Sequence, residues 1–273
     1  MGIADLTGIR AKLGRAKEHL TTLRTEFDIW AQQQADTIGF YIERDGPWYT
    51  IITKPLNQPP IRFSIIAGDI IHNLRSALDH LVWQLVLRDG QKPSRTNEFP
   101  IYESEELFSK EVKFRKKPER SVLNGITIDG DAWTIIEKAQ PYNSPPHTSP
   151  IGVIGQLSNV DKHRTIYMQV PFVGKDIRRA IGWSSEAVLL EERIGDKALS
   201  FEKPTEVIRY RFADHPDPNV HVKGSLPLVP TFGQGPIKGG YQMSLGMFSV
   251  LVNKVTEIVD EVSNLPRIID VQP

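Results

Sequence analysis

Ile9, Leu13, Ala16, Leu20, Leu23, Phe27 and Trp30 recur at alternating spacings of four and three residues. An α-helix brings residues so spaced onto one side, so the pattern predicts a helix from about residue 4 to about residue 34 with a continuous apolar seam. The rhythm returns near the C-terminus in Tyr241, Leu245, Phe248, Val252, Val255, Val259 and Val262, and Pro266 supplies a stop signal. A second long helix is therefore expected over about 240–264. Two such seams need partners, and the expectation is that they line a bundle core or a homodimer interface.

Between the seams the pattern changes. "FYIERDGPWYTIITKPL" alternates apolar and polar residues around Asp45-Gly46, the signature of a β-hairpin at about 38–58. A helix follows through "AGDIIHNLRSALDHLVWQL", Ala67 to Leu85, and then a charged, irregular stretch to about residue 130. "DAWTIIEKAQPY" predicts a short helix broken at Pro141, and Ser149 and Pro150 fit the N-cap and first position of another, "SPIGVIGQLSNVDKHR". Strands are expected in "TIYMQVPFV", "EAVLLEERI", "ALSFEK", "EVIRYRF" and "VHVKGSLPL". The fold class expected is α+β, a single domain over 1–273. Its parts are a helical bundle core over 1–164 carrying the inserted hairpin, an antiparallel β-rich segment over 165–235, and the C-terminal helix returning to the bundle.

Composition limits the chemistry. The 273 residues contain no cysteine, which excludes disulfides, thiolate zinc sites and cysteine nucleophiles. Formal net charge is zero, so any nucleic-acid contact must come from a local patch. "MGIADLTGIRAKLGRAKEHL" lacks the unbroken apolar core of a signal peptide, and no window approaches the ~20 apolar residues of a membrane span. A cytoplasmic protein that does not engage the membrane is the expectation.

The helix at 67–85 carries the main functional signal. At about 100° per residue, Ile70, Leu74, Ala77, Leu78, Leu81 and Leu85 share one face, and Asp69, His72, Asn73, Ser76, His80 and Trp83 share the opposite one. A solvated face ordinarily carries Lys and Glu; this one offers short polar groups and two imidazoles that hold geometry at low entropic cost. Either it is a buried hydrogen-bond network that stabilises the bundle, as in a non-enzymatic interaction protein, or it performs chemistry. "LSNVDKHR" adds a second cluster at a helix end. Lys162, His163 and Arg164 suit a helix C-terminus, whereas Asp161 there needs a partner such as an arginine or histidine of the first cluster.

Arg75-Ser76-Ala77-Leu78-Asp79-His80 has the form Arg, four residues, His on a helix, and in this it resembles the signature of the HEPN superfamily. The segments "GDIIHNLRSALDHLVW" and "LSNVDKHR" are also similar to those of a family of uncharacterised bacterial and phage proteins. The resemblance implies a HEPN-like helical core and a metal-independent endoribonuclease of toxin or phage-defence systems, or an RNA-binding relative, acting as a homodimer without a cofactor. It assigns catalysis to Arg75 and His80, with support from Asp69, His72, Ser76, Asp161, His163 and Arg164. Many such nucleases have Asn after the arginine; Ser76 stands there in this chain.

Other patterns compete. Asp69, His72 and His80 could face one metal ion, with Asp161 and His163 completing the set, but His72 and His80 lie about 12 Å apart along a helix, so a metal site is not the expected reading. "KEVKFRKKPER" groups Lys113, Phe114, Arg115, Lys116 and Lys117 as a basic segment with one ring for stacking, a candidate RNA contact. "GQGPIKGG" lacks the Gly-Lys-Ser/Thr ending of a phosphate loop. His147 belongs to a proline-rich turn.

Overall fold

The computed structural model describes the chain except for residues 1, 38, 114–115, 146–147, 170–180, 196–198, 214–217, 223–229, 234–241 and 271–273. It is a mixed α+β structure in two compact units: 1–23, 65–166 and 246–273 form the first, and 24–64 with 167–245 form the second.

In the first unit, α1 (Thr7–Thr37) begins after the strand β1 (Ala4–Asp5), and its continuation past residue 23 belongs to the second unit. All seven residues of the predicted seam are buried. The helix α2 (Ile61–Arg88) carries the 67–85 stretch in its middle, with Ile70, Leu74, Ala77, Leu78, Leu81 and Leu85 wholly inside. The stretch expected to be irregular contains the single turn α3 (Glu105–Phe108), one turn of π-helix (Ser109–Lys113) and a 3-10 turn (Pro118–Arg120). Then come α4 (Asp131–Lys138) and α5 (Pro150–His163). Ser149 caps α5 as its spacing predicts, its hydroxyl accepting the Gly152 N–H. The last helix, α6 (Met247–Ser263), packs against α4 and α5 through Phe248, Leu251, Val255, Ile258 and Val262. Arg10 ties α1 to the C-terminal segment, bonding Asp260 and Asp270 at 2.6 Å each, and β11 (Ile268–Ile269) pairs in parallel with β1.

In the second unit the hairpin forms as expected, β2 (Phe40–Asp45) and β3 (Trp48–Thr53) in register Asp45↔Trp48, with Gly46 at φ +56° in the two-residue turn. It does not stand alone: β3 pairs with β7 (Thr205–Phe212), and β7 with β6 (Leu189–Ile194), giving one antiparallel sheet ordered β2-β3-β7-β6. Tyr49, Tyr210, Phe212 and Trp183 pack on one of its faces. A three-stranded sheet joins β4 (Tyr167–Gln169), β9 (Thr231–Gly233) and β10 (Gln242–Ser244), and β5 (Ile181–Gly182) pairs with β8 (His221–Val222).

Two expectations fail. In "ALSFEK", whose Ala198 lies outside the described residues, Leu199 to Lys203 do not form a strand: the Ser200 hydroxyl accepts the N–H groups of Glu202 and Lys203, bending the chain just before Pro204. The C-terminal helix starts at Met247 rather than near 240, because Gln242–Ser244 pair with Thr231–Gly233 as strand β10, and Gly246 separates strand from helix. Tyr241, the first residue of the predicted seam, lies outside the described residues, as do 170–173 and 223–228 of the expected strands.

Candidate functional site on α2

The polar stripe of α2 is a solvent face. Asp69, His72, His80 and Trp83 are exposed, and Asn73 and Ser76 are half-buried. The expectation that this stripe is a buried network therefore fails for its histidines; no described residue hydrogen-bonds either imidazole. Asn73 donates to the Asp69 carbonyl at 2.8 Å, a local bond within the helix.

Arg75 sits on one flank of that face, and it is held. Its Nε donates to Asp79 Oδ2 at 3.2 Å, a terminal nitrogen lies 3.0 Å from Asp79 Oδ1, and the same nitrogen lies 3.5 Å from Glu98. The side chain keeps 15% of its surface exposed. Asp79 has a second task, accepting the Phe99 N–H at 2.9 Å, so one carboxylate fixes the guanidinium and fastens the segment 98–103 to α2. Other buried amides hold the same segment. Gln140 donates to the Pro100 carbonyl at 2.9 Å and accepts the Tyr102 N–H at 3.1 Å, and Asn97 donates to the carbonyls of Val122 and Asn124. Gly155 of α5 lets the segment lie close, since a Cβ there would come within 3.1 Å of Ile101. The result is a cleft of about 390 Å³ bounded by Arg75, the segment 98–103 and the α5 residues Gln156, Asn159 and Lys162.

His80 does not line this cleft. Five helical residues turn it about 140° from Arg75, to the flank where Lys12 of α1 acts on it. Desolvation of the ring, then the Lys12 charge, push the imidazole below its ordinary value, and Asp79 only partly opposes this. The shift favours the neutral, proton-accepting form of the ring.

The second cluster reaches α2 through Asp161, and Lys162 lines the cleft beside Arg75. Its carboxylate lies so close over Gly68 that a Cβ there would fall 2.3 Å from Oδ1. Burial first, and the charge of Asp69 second, raise the Asp161 carboxyl above the usual carboxylate range, with His72 drawing it back in part. Asp161, Asp69 and His72 therefore share one field. His163 and Arg164 are exposed at the end of α5, where Arg164 is the C-cap and its N–H donates to the Val160 carbonyl. Among the described residues no group of three or more His, Cys, Asp or Glu is placed to hold a metal ion.

The basic segment is divided. Lys113 ends the π-helical turn ion-paired to Asp129 at 2.7 Å, so part of its charge is already answered. Lys116 and Lys117 are exposed. Phe114 and Arg115 lie outside the described residues, as do His147 and residues 234–240 of "GQGPIKGG".

Asp79 and Glu98 are the site residues that sequence reasoning missed. The Arg75–Asp79 pair had a readable signal, opposite charges four apart on a helix. Glu98 had none. Among the described residues, no helix is long and apolar enough to cross a membrane. Compared with protein-family models, curated proteins and solved structures, the chain finds no match in any of the three.

Proposed function

We propose that the protein is a HEPN-like, metal-independent endoribonuclease that works as a two-fold homodimer joined along the exposed face of α2. The observation that carries this reading is the unequal state of the two residues: Arg75 is clamped at the edge of a cleft, while His80 is exposed and without a hydrogen-bond partner among the described residues. One copy holds them about 140° apart. A two-fold axis across the face would bring the arginines and histidines of both copies to one phosphate. Ile65 and Trp83, 53% and 41% exposed on this side of α2, supply apolar surface for such a contact.

In the dimer one neutral His80 takes the proton of an RNA 2′-hydroxyl, whose oxygen attacks the adjacent phosphorus. Arg75 neutralises the charge that grows on the phosphorane oxygens. The 5′-oxygen leaves with a proton from water while the imidazolium returns its own to solvent, and the products are a 2′,3′-cyclic phosphate and a 5′-hydroxyl. Asp69 and His72 lie along that face, with the Asp161 carboxylate of α5 over Gly68, and the three would set the field around the substrate, with phage-defence or toxin roles as the setting. A second reading draws on the same exposed Ile65 and Trp83: a dimerising interaction protein with no chemistry.

Light scattering and a panel of RNAs at neutral pH test the proposal. A dimer whose cleavage persists in EDTA and leaves cyclic phosphate ends is the expected result. A dimer that leaves every RNA intact, with or without divalent ions, would remove the nuclease and leave the interaction protein; a monomer would remove both.

A further inference from the structure

Glu98 occupies an odd position. It is 57% exposed, on a segment whose neighbours are fastened from below by Asp79 and Gln140, and its carboxylate stands 3.5 Å from the Arg75 guanidinium. That distance is long for a hydrogen-bonded ion pair, and an exposed pair of this kind is weak. Asp79 takes Nε and, at 3.0 Å, the same terminal nitrogen that Glu98 approaches, so Arg75 is held by Asp79 and only loosely engaged by Glu98. Lys162, Asn159 and Gln156 line the same cleft.

We infer that this cleft is a phosphate subsite within one chain, in which Glu98 fills the place of the phosphate until a phosphodiester displaces it. The carboxylates around it take different parts. Asp79 is consumed by Arg75 and the Phe99 N–H. Glu103 lies against Gly152, in the first turn of α5, where the free N–H groups of a helix favour negative charge. Only Glu98 is free to swing out. An arriving phosphate brings oxygens that match the guanidinium fork, with the Lys162 ammonium and the two side-chain amides within the same cleft. Asp79 is then the positioning residue, and Glu98 a gate that disfavours weakly bound anions. The inference rests on the nuclease reading for the source of the phosphate, an RNA backbone, but not for any chemistry.

The test is a binding measurement with a fluorescent oligoribonucleotide whose 2′-hydroxyls are methylated, so that cleavage plays no part, and with inorganic phosphate as a separate ligand. Glu98→Gln keeps the shape of the side chain and should tighten oligonucleotide binding by about fivefold, the scale of one exposed ion pair. Lys162→Ala should loosen it by a similar factor, and Glu98→Ala should resemble Glu98→Gln. The same gain with inorganic phosphate would show that the phosphate group suffices; a gain with the oligonucleotide alone would assign the site to a diester in a chain. Unchanged or weaker binding of both ligands by Glu98→Gln, with an unchanged melting temperature, would overturn the subsite even if the wild-type protein cleaves RNA. Tightening in a protein that cleaves no RNA would uphold the subsite and sink the nuclease.

Discussion

The two flanks of α2 differ in how far the chain has finished them. On the Arg75 flank, Asp79, Gln140 and Asn97 fasten the segment 98–103, and the guanidinium has its partners. On the His80 flank, an exposed imidazole has Lys12 for an electrostatic neighbour and no hydrogen bond from any described residue. The contrast teaches that charge alone does not mark a site. One flank is pre-organised by the fold, which costs substitutions there stability; the other holds its group available, and substitutions there should touch function first.

The largest effect should come from breaking the finished flank. Asp79→Ala leaves the Phe99 N–H without its acceptor and the largely buried Arg75 without its main partner, and should cost about 2–3 kcal/mol in denaturant unfolding. Gly68→Ala comes next: the new Cβ must displace the Asp161 carboxylate, at about 1–2 kcal/mol. Asp161→Asn should act in the opposite sense. Between the ordinary aspartate value and the raised one, the native state holds a proton that the unfolded chain has lost, so the stability of the wild-type protein falls as pH rises through that window. The amide removes this cost, and its melting temperature should exceed the wild type at pH 7, with the gap closing as pH falls below about 4.

His80→Ala should be the smallest, within about 0.5 kcal/mol at neutral pH. Its imidazole titrates below the ordinary value, so the unfolded chain takes the proton first on acidification. The contribution of the neutral ring is complete above the ordinary histidine value and is lost as pH falls through the lowered one. A ring-proton titration by NMR should place His80 below a free histidine, and Lys12→Ala should move it upward.

Much of α2 was legible because burial and period coincide: six residues named for the apolar face are wholly buried. The apolar face of α1 and the Ser149 cap were legible for the same local reasons. The hairpin could be read from Asp45-Gly46, yet its pairing with β7 could not, since β3 meets residues more than 150 positions away. The early start expected for α6 shows how a helical seam misleads: Leu245 continues the rhythm, but the backbone of Gln242–Ser244 is spoken for by β9. The site divides likewise. Arg75 and Asp79 are one helical turn apart, whereas Glu98, Gln156 and Asn159 join them only through tertiary folding.

The most direct test of the two-copy site mixes two inactive variants. Arg75→Ala and His80→Ala, each purified as a dimer, should leave RNA intact. Mixed dimers join a chain that keeps His80 to one that keeps Arg75, and so restore one of each residue at the shared axis. The account predicts that the mixture, after subunit exchange, cleaves RNA in EDTA while neither parent does. A wild-type enzyme that cleaves, alongside a mixture that stays silent despite proven exchange, would contradict it.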